Sequence, residues 1–97
     1  MIIVWGSVDA APEDMDALKK VSLEHVHRSR KEPGCISHSV QADLEDPNRL
    51  IFFEEWEDMA ALQTHFQVAE SSTFIEEVSG LAASPPAIRI FESEQVG

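Results

Sequence analysis

The sequence predicts an α+β fold of the ferredoxin-like kind, a split βαβ arrangement with a four-stranded antiparallel sheet and helices on one face. Three observations lead there. Hydrophobic periodicity changes along the chain in the order strand, helix, strand, strand, helix, helix, strand. The chain has 97 residues, 43% hydrophobic and 26% charged, enough for one domain over 1–97 with a modest core and too few for a second. The segment Leu50-Ile51-Phe52-Phe53 is apolar on both faces, the pattern of a central strand covered from two sides.

Each element has a local reason. Ile2 to Val8 is rich in β-branched and aromatic residues and reads as the first strand, with Gly6 permitting close backbone approach. Pro12 suits a first helical turn, and Glu13, Asp14 and Asp16 lie where the helix dipole favours negative charge. The helix is expected from about Pro12 to about Lys31, with Met15, Leu18, Ser22, His25, Val26 and Ser29 on one face. Pro33-Gly34 stops it. Cys35 to Ala42 then alternates as a strand, with Ile36, His38, Val40 and Ala42 on its apolar side. Asp46-Pro47-Asn48 makes a turn into the third strand, which ends at Glu54-Glu55-Trp56. Asp58 caps a helix carrying Ala61, Leu62, His65 and Phe66 along one stripe. Ser71-Ser72 offers a second cap, after a long connection from Gln67 to Thr73, for a short helix with Phe74, Ile75, Val78 and Leu81. Pro85-Pro86 sets an extended entry to the last strand, Ala87 to Phe91, and residues 92–97 are expected to fray.

Too little helix is available to cover both faces of such a sheet, so its second face is expected to pack against a second copy of the chain in a two-fold homodimer. The 18 acidic residues against 7 basic ones give a net charge of −11, which repels phosphate backbones and anionic lipid and excludes nucleic acid and membrane as partners. No run approaches the length of a membrane span, and a cytoplasmic location is expected. Cys35 is the lone cysteine and cannot form an internal disulfide or a thiolate metal site.

Taken together, Glu32-Pro33-Gly34-Cys35, Asp46-Pro47-Asn48-Arg49, Glu54-Glu55-Trp56 and Ala60-Ala61-Leu62-Gln63-Thr64-His65-Phe66 resemble the antibiotic biosynthesis monooxygenase family, over nearly all of Ile2 to Phe91. The resemblance implies a dimeric α/β-barrel, in which two sheets pack together and the last strand reaches the neighbour. It also implies cofactor-independent oxidation of a small aromatic, such as a hydroquinone or polyphenol, by dioxygen. The haem-degrading branch of the superfamily is a poor match, since Gly6, His65 and Val78 stand where that branch carries Asn, Trp and the axial His.

Two histidines are the catalytic candidates. His65 matches a position at the pocket wall in similar proteins, and His38 is an imidazole among apolar neighbours, able to accept a proton. Phe53, Trp56, Phe66 and Phe74 are the expected pocket aromatics. Members of the family commonly carry Tyr at the positions of His38 and Phe53, and this chain has no Tyr at all. Glu54, on the face of Phe52 and Trp56, is expected either at the barrel or pocket edge or, the favoured reading, paired with Arg49 or Arg89. No metal site is expected, because His25 and His27 project from opposite sides of a helix, and no nucleotide-binding loop suggests a flavin. Two functions remain open: a cofactor-free monooxygenase and a non-catalytic dimer that binds a small ligand.

Overall fold

The computed structural model describes residues 1–97. Its elements are β1 (Ile2–Asp9), a 3-10 turn (Pro12–Asp14), α1 (Met15–Ser29), β2 (Cys35–Ala42), β3 (Arg49–Trp56), α2 (Met59–Gln67), α3 (Ala69–Leu81) and β4 (Ala87–Glu92). The strands form one antiparallel sheet in the order β2-β3-β1-β4, the expected split βαβ topology. No helix is long and apolar enough to cross a membrane.

Register decides which side chains meet the helices. His38 pairs with Glu54, Val40 with Phe52, and Gly6 with both Phe52 and Ile88. Because side chains alternate, Ile2, Val4, Val8, Leu50, Phe52, Glu54 and Trp56 lie together under the helices and all are buried. They pack against Leu18 and Val26 of α1, Leu62 of α2 and Val78 of α3. A bulge between Cys35 and Ser37 takes Ile36 out of the ladder, leaving it 52% exposed instead of sharing the buried face of His38.

The opposite face carries Ile3, Trp5, Ile51, Phe53 and Phe91 and is open in the single chain. Phe53 there is 37% exposed. Arg89 lies over the Trp5 ring at 5.0 Å instead of pairing with Glu54, and Arg49 binds Asp9 at 2.8 Å.

Helix ends differ from the sequence reading in instructive places. α1 stops at Ser29, two residues short of Lys31. The expected connection from Gln67 to Thr73 is only Val68, whose extended backbone (ψ 133°) turns the chain between α2 and α3. Ser71 and Ser72 therefore lie inside α3, and the Thr73 hydroxyl donates to Ala69 O within the helix. At the other end of the chain, Ser93 N–H bonds Met1 O at 2.8 Å, so pairing persists past β4 into the segment expected to fray.

One glycine fixes the position of α2. Gly34 has φ +82°, and a Cβ on it would meet Ala61 Cβ at 2.5 Å. Its carbonyl also accepts Glu57 N–H at 2.9 Å, which ties the end of β3 to the turn. The Glu-Pro-Gly turn and the first turn of α2 are thus too close to admit a side chain at Gly34. Gly34→Ala is expected to lower stability by at least about 2 kcal/mol, from the left-handed backbone and the clash together. Urea titration checks this, and an unchanged midpoint would show that the turn and α2 can separate without cost.

Candidate active site, a buried cluster of histidines and carboxylates

A cavity of about 250 Å³ lies between α3 and the β1–β4 side of the sheet. Its walls are apolar, including Val4, Phe52, Phe74, Val78 and Ile88, and its polar residues include His25 and Glu54. Five elements and one turn position these two groups.

His25 sits on the buried stripe of α1 and is 5% exposed. Its ring stacks on Phe74 of α3 at 3.9 Å between centroids and 5° between planes. Arg28 Nη2 lies 2.6 Å from His25 Nδ1. Because a guanidinium can only donate, Nδ1 is the acceptor and the ring hydrogen of the neutral imidazole is on Nε2. Burial, reinforced by the nearby His38, His65 and Arg28, lowers the His25 pKa from 6.5 to about 3.

Glu54, on β3, places Oε1 2.9 Å from Trp56 Nε1 and 3.2 Å from His38 Nε2. Trp56 donates a hydrogen bond, since residues two apart on a strand share a face. The approach to His38 is a charge contact and not an aligned hydrogen bond, so both ring nitrogens of the 1%-exposed His38 are without a hydrogen-bond partner. Burial pushes the Glu54 carboxyl up, but the facing His38, the Trp56 donor and the charge of His65 outweigh it, and the net shift is below the usual range.

His65 reaches the cluster from α2, beneath the Gly34 contact. Its Nδ1 is 2.9 Å from Glu32 Oε1 in the Glu-Pro-Gly turn, and with a carboxylate as acceptor it is Nδ1–H that donates. The ring lies over Trp56 at 4.7 Å. Ring centroids of the three histidines are 5.2 to 5.7 Å apart. Glu54 and Glu32 are the carboxylates that face the cluster, and His25 is the ring held neutral.

The sequence candidates are distributed around this centre. His38 and His65 belong to the buried cluster but do not line the cavity, whereas Phe74 does. Trp56 is fully buried beneath His65, Phe66 lies beside His65 and is half-exposed outside the cavity, and Phe53 projects from the opposite sheet face. His25 and Glu32 are the polar residues that sequence reasoning missed, and Glu54, favoured for an ion pair with Arg49 or Arg89 over a place at the pocket edge, lines the cavity. Spacing excluded chelation by His25 with His27, and His27 is indeed exposed. Spacing carried no information on the three-element convergence of His25, His38 and His65, which places one nitrogen of each within 4.8 Å of the others.

The family model for antibiotic biosynthesis monooxygenase matches residues 1–77. The uncharacterized protein sll1783 of Synechocystis sp. is 36% identical over 91 residues, or 94% of this chain, and the chain spans 62% of the length of that relative. Among solved structures, a Deinococcus radiodurans protein provisionally named an antibiotic biosynthesis monooxygenase superposes with a TM-score of 0.95 at 24% identity, covering 99% of this chain and 95% of its own. Rv0793 from Mycobacterium tuberculosis gives a TM-score of 0.91 at 20% identity, covering 98% and 96% of the two chains. At these identities the two structures speak to the fold alone.

The His25 environment has a measurable consequence for stability. Between pH 6.5 and about 3 the unfolded chain protonates this residue and the native chain does not. The unfolded state then binds more protons, so stability falls as pH drops through that window, by up to about 1.4 kcal/mol per pH unit from this residue. Loss of the ionised Glu54 acts in the same direction below its unfolded value of about 4.5. Urea titrations across the window should show a shallower pH slope for His25→Gln than for the parent chain. Equal slopes would mean that His25 titrates as an ordinary histidine.

Proposed function

The chain belongs to the antibiotic biosynthesis monooxygenase family, and from that premise we propose that it is a cofactor-independent monooxygenase-like protein oxidising a small hydroquinone or polyphenol with dioxygen. The observation that carries this reading is the cavity, whose aromatic and aliphatic walls enclose an ionised Glu54 and a neutral His25. An apolar pocket with a few convergent polar groups suits a flat aromatic bearing a hydroxyl.

In this reading Glu54 accepts the hydroxyl proton, and His25, with its hydrogen on Nε2, donates to the developing oxyanion. The phenolate gives one electron to dioxygen, and the resulting carbon radical and superoxide join in a C–O bond. The stored proton returns to the peroxide, and loss of water across the O–O bond leaves a carbonyl. For a hydroquinone the balance is substrate plus O2 to hydroxyquinone plus water, so no external reductant is consumed. The apolar walls hold the radical pair away from solvent.

His38 and His65, the imidazoles favoured by the sequence, work behind these groups. His38 faces Glu54 Oε1 and stabilises its charge, and His65, anchored by Glu32, supports the cluster from the α2 side. The open sheet face completes the reading as the interface of a homodimer, placed in the cytoplasm. Trp5, Ile51, Phe53 and Phe91 supply its apolar area, and an obligate interface of this kind buries on the order of 2,000 Å² or more. The lack of Tyr favours the alternative, a non-catalytic dimer that holds a small apolar ligand in the same cavity.

Oxygen uptake with a panel of hydroquinones separates the two readings. We expect turnover that falls about 10²–10⁴-fold in Glu54→Gln and drops strongly in His38→Ala. Ligand binding without oxygen uptake would leave the binding module and remove the oxygenase. For the dimer, sedimentation at micromolar concentration should give twice the chain mass, and a one-chain mass would contradict the interface.

A further inference from the structure

We propose that His25, His38 and His65 form a binding site for one divalent cation of the zinc class at the polar end of the cavity. Imidazoles arriving from α1, β2 and α2, each ligating through a bare ring nitrogen, are a ligand set suited to zinc and neighbouring first-row ions. One nitrogen of each ring already lies within 4.8 Å of the others. Metal–nitrogen bonds of about 2.0–2.1 Å in a tetrahedral site put ligand nitrogens roughly 3.4 Å apart, so small ring movements of about 1 Å or less close the site.

The surroundings of each ring fit that role. His38 is buried with no hydrogen-bond partner at either nitrogen, a costly state that a bound cation relieves. His65 donates Nδ1–H to Glu32, the carboxylate–histidine arrangement that orients a metal-ligating ring and leaves Nε2 for the ion. Glu54 Oε1 lies 3.2 Å from His38 Nε2, unaligned as it stands but near enough to accept that hydrogen once Nδ1 ligates the ion. These two carboxylates also balance a double positive charge inside the protein, where an unbalanced one would be expensive. Since His25 lines the cavity, a fourth coordination position opens toward it.

Arg28 opposes the ion. Its bond to His25 Nδ1 requires that nitrogen to be bare, whereas ligation through Nε2 requires it to carry the hydrogen. The guanidinium must turn away on binding and thereby sets the affinity. The site rests on the histidines and not on the oxygenase reading, and a bound ion would occupy the His25 that the proposed oxidation uses.

The test is titration of the chelator-stripped full chain with Zn²⁺ by calorimetry and with Co²⁺ by visible absorption. We expect one ion per chain and a Co²⁺ spectrum of tetrahedral intensity. Affinity should weaken at least tenfold in His25→Gln, His38→Gln and His65→Gln and stay unchanged in His27→Gln. Arg28→Gln should bind at least tenfold more tightly, because its amide oxygen can accept the Nδ1 hydrogen. Absence of stoichiometric binding, binding that survives all three substitutions, or weaker binding in Arg28→Gln overturns the site and leaves the oxygen-uptake result standing on its own. The Co²⁺ spectrum is read on the unsubstituted chain, so an octahedral, water-like spectrum overturns the proposal even where a variant fails to fold.

Discussion

Burying three imidazoles and a carboxylate inside a 97-residue domain is the constraint on which the rest of this structure depends. Taking charged groups out of water costs several kcal/mol each unless they face partners of opposite charge. The fold meets that cost by geometry. Glu54 is shared between Trp56 and His38, Glu32 holds His65, and His25 stays neutral on the face of Phe74. Apart from Trp56, which shares β3 with Glu54, each partner comes from a different element, so the cluster is intact only when the sheet register, the Glu-Pro-Gly turn and the docking of α2 and α3 are all in place.

The same arrangement links fold to chemistry. A hairpin register that pairs His38 with Glu54 is what keeps the carboxylate ionised beside an apolar cavity. Close contact between Gly34 and Ala61 is what delivers His65 to Glu32. The cavity then presents a charged acceptor and a neutral imidazole in apolar surroundings, where electrostatic interactions are stronger than in water. That combination of an apolar wall and a few fixed polar groups is common to the oxygenase reading and to the ligand-binding one.

Much of the fold was legible because its signals are local. The doubly apolar Leu50 to Phe53 strand is central, and Asp58 does cap α2, accepting Ala61 N–H at 2.8 Å. Local signals with equal alternatives point less surely. Ser71 and Ser72 have cap chemistry, but the helix begins two residues before them at Ala69 and the single residue Val68 makes the turn. The site was less legible because it is made by long-range contacts. His25 shares a stripe with Leu18 and Val26 and looks like part of a helix core face, and only α3 packing reveals that it stacks on Phe74. Glu54 shares a strand face with Trp56, which sequence alternation does indicate, but its proximity to His38 depends on a bulge and a register that no residue pattern announced. Glu32 carries no signal of its own beside Pro33-Gly34, although its oxygen is what fixes His65.

Nitrogen-15 NMR of the imidazole rings in the chelator-treated chain near neutral pH tests the central claim most directly, namely that a neutral His25 stands beside an ionised Glu54. His25 is expected to be neutral, with its hydrogen on Nε2 and a bare Nδ1, next to a His65 that carries a hydrogen on Nδ1. A doubly protonated His25, or one with its hydrogen on Nδ1, would contradict it, because Arg28 could then not be its partner.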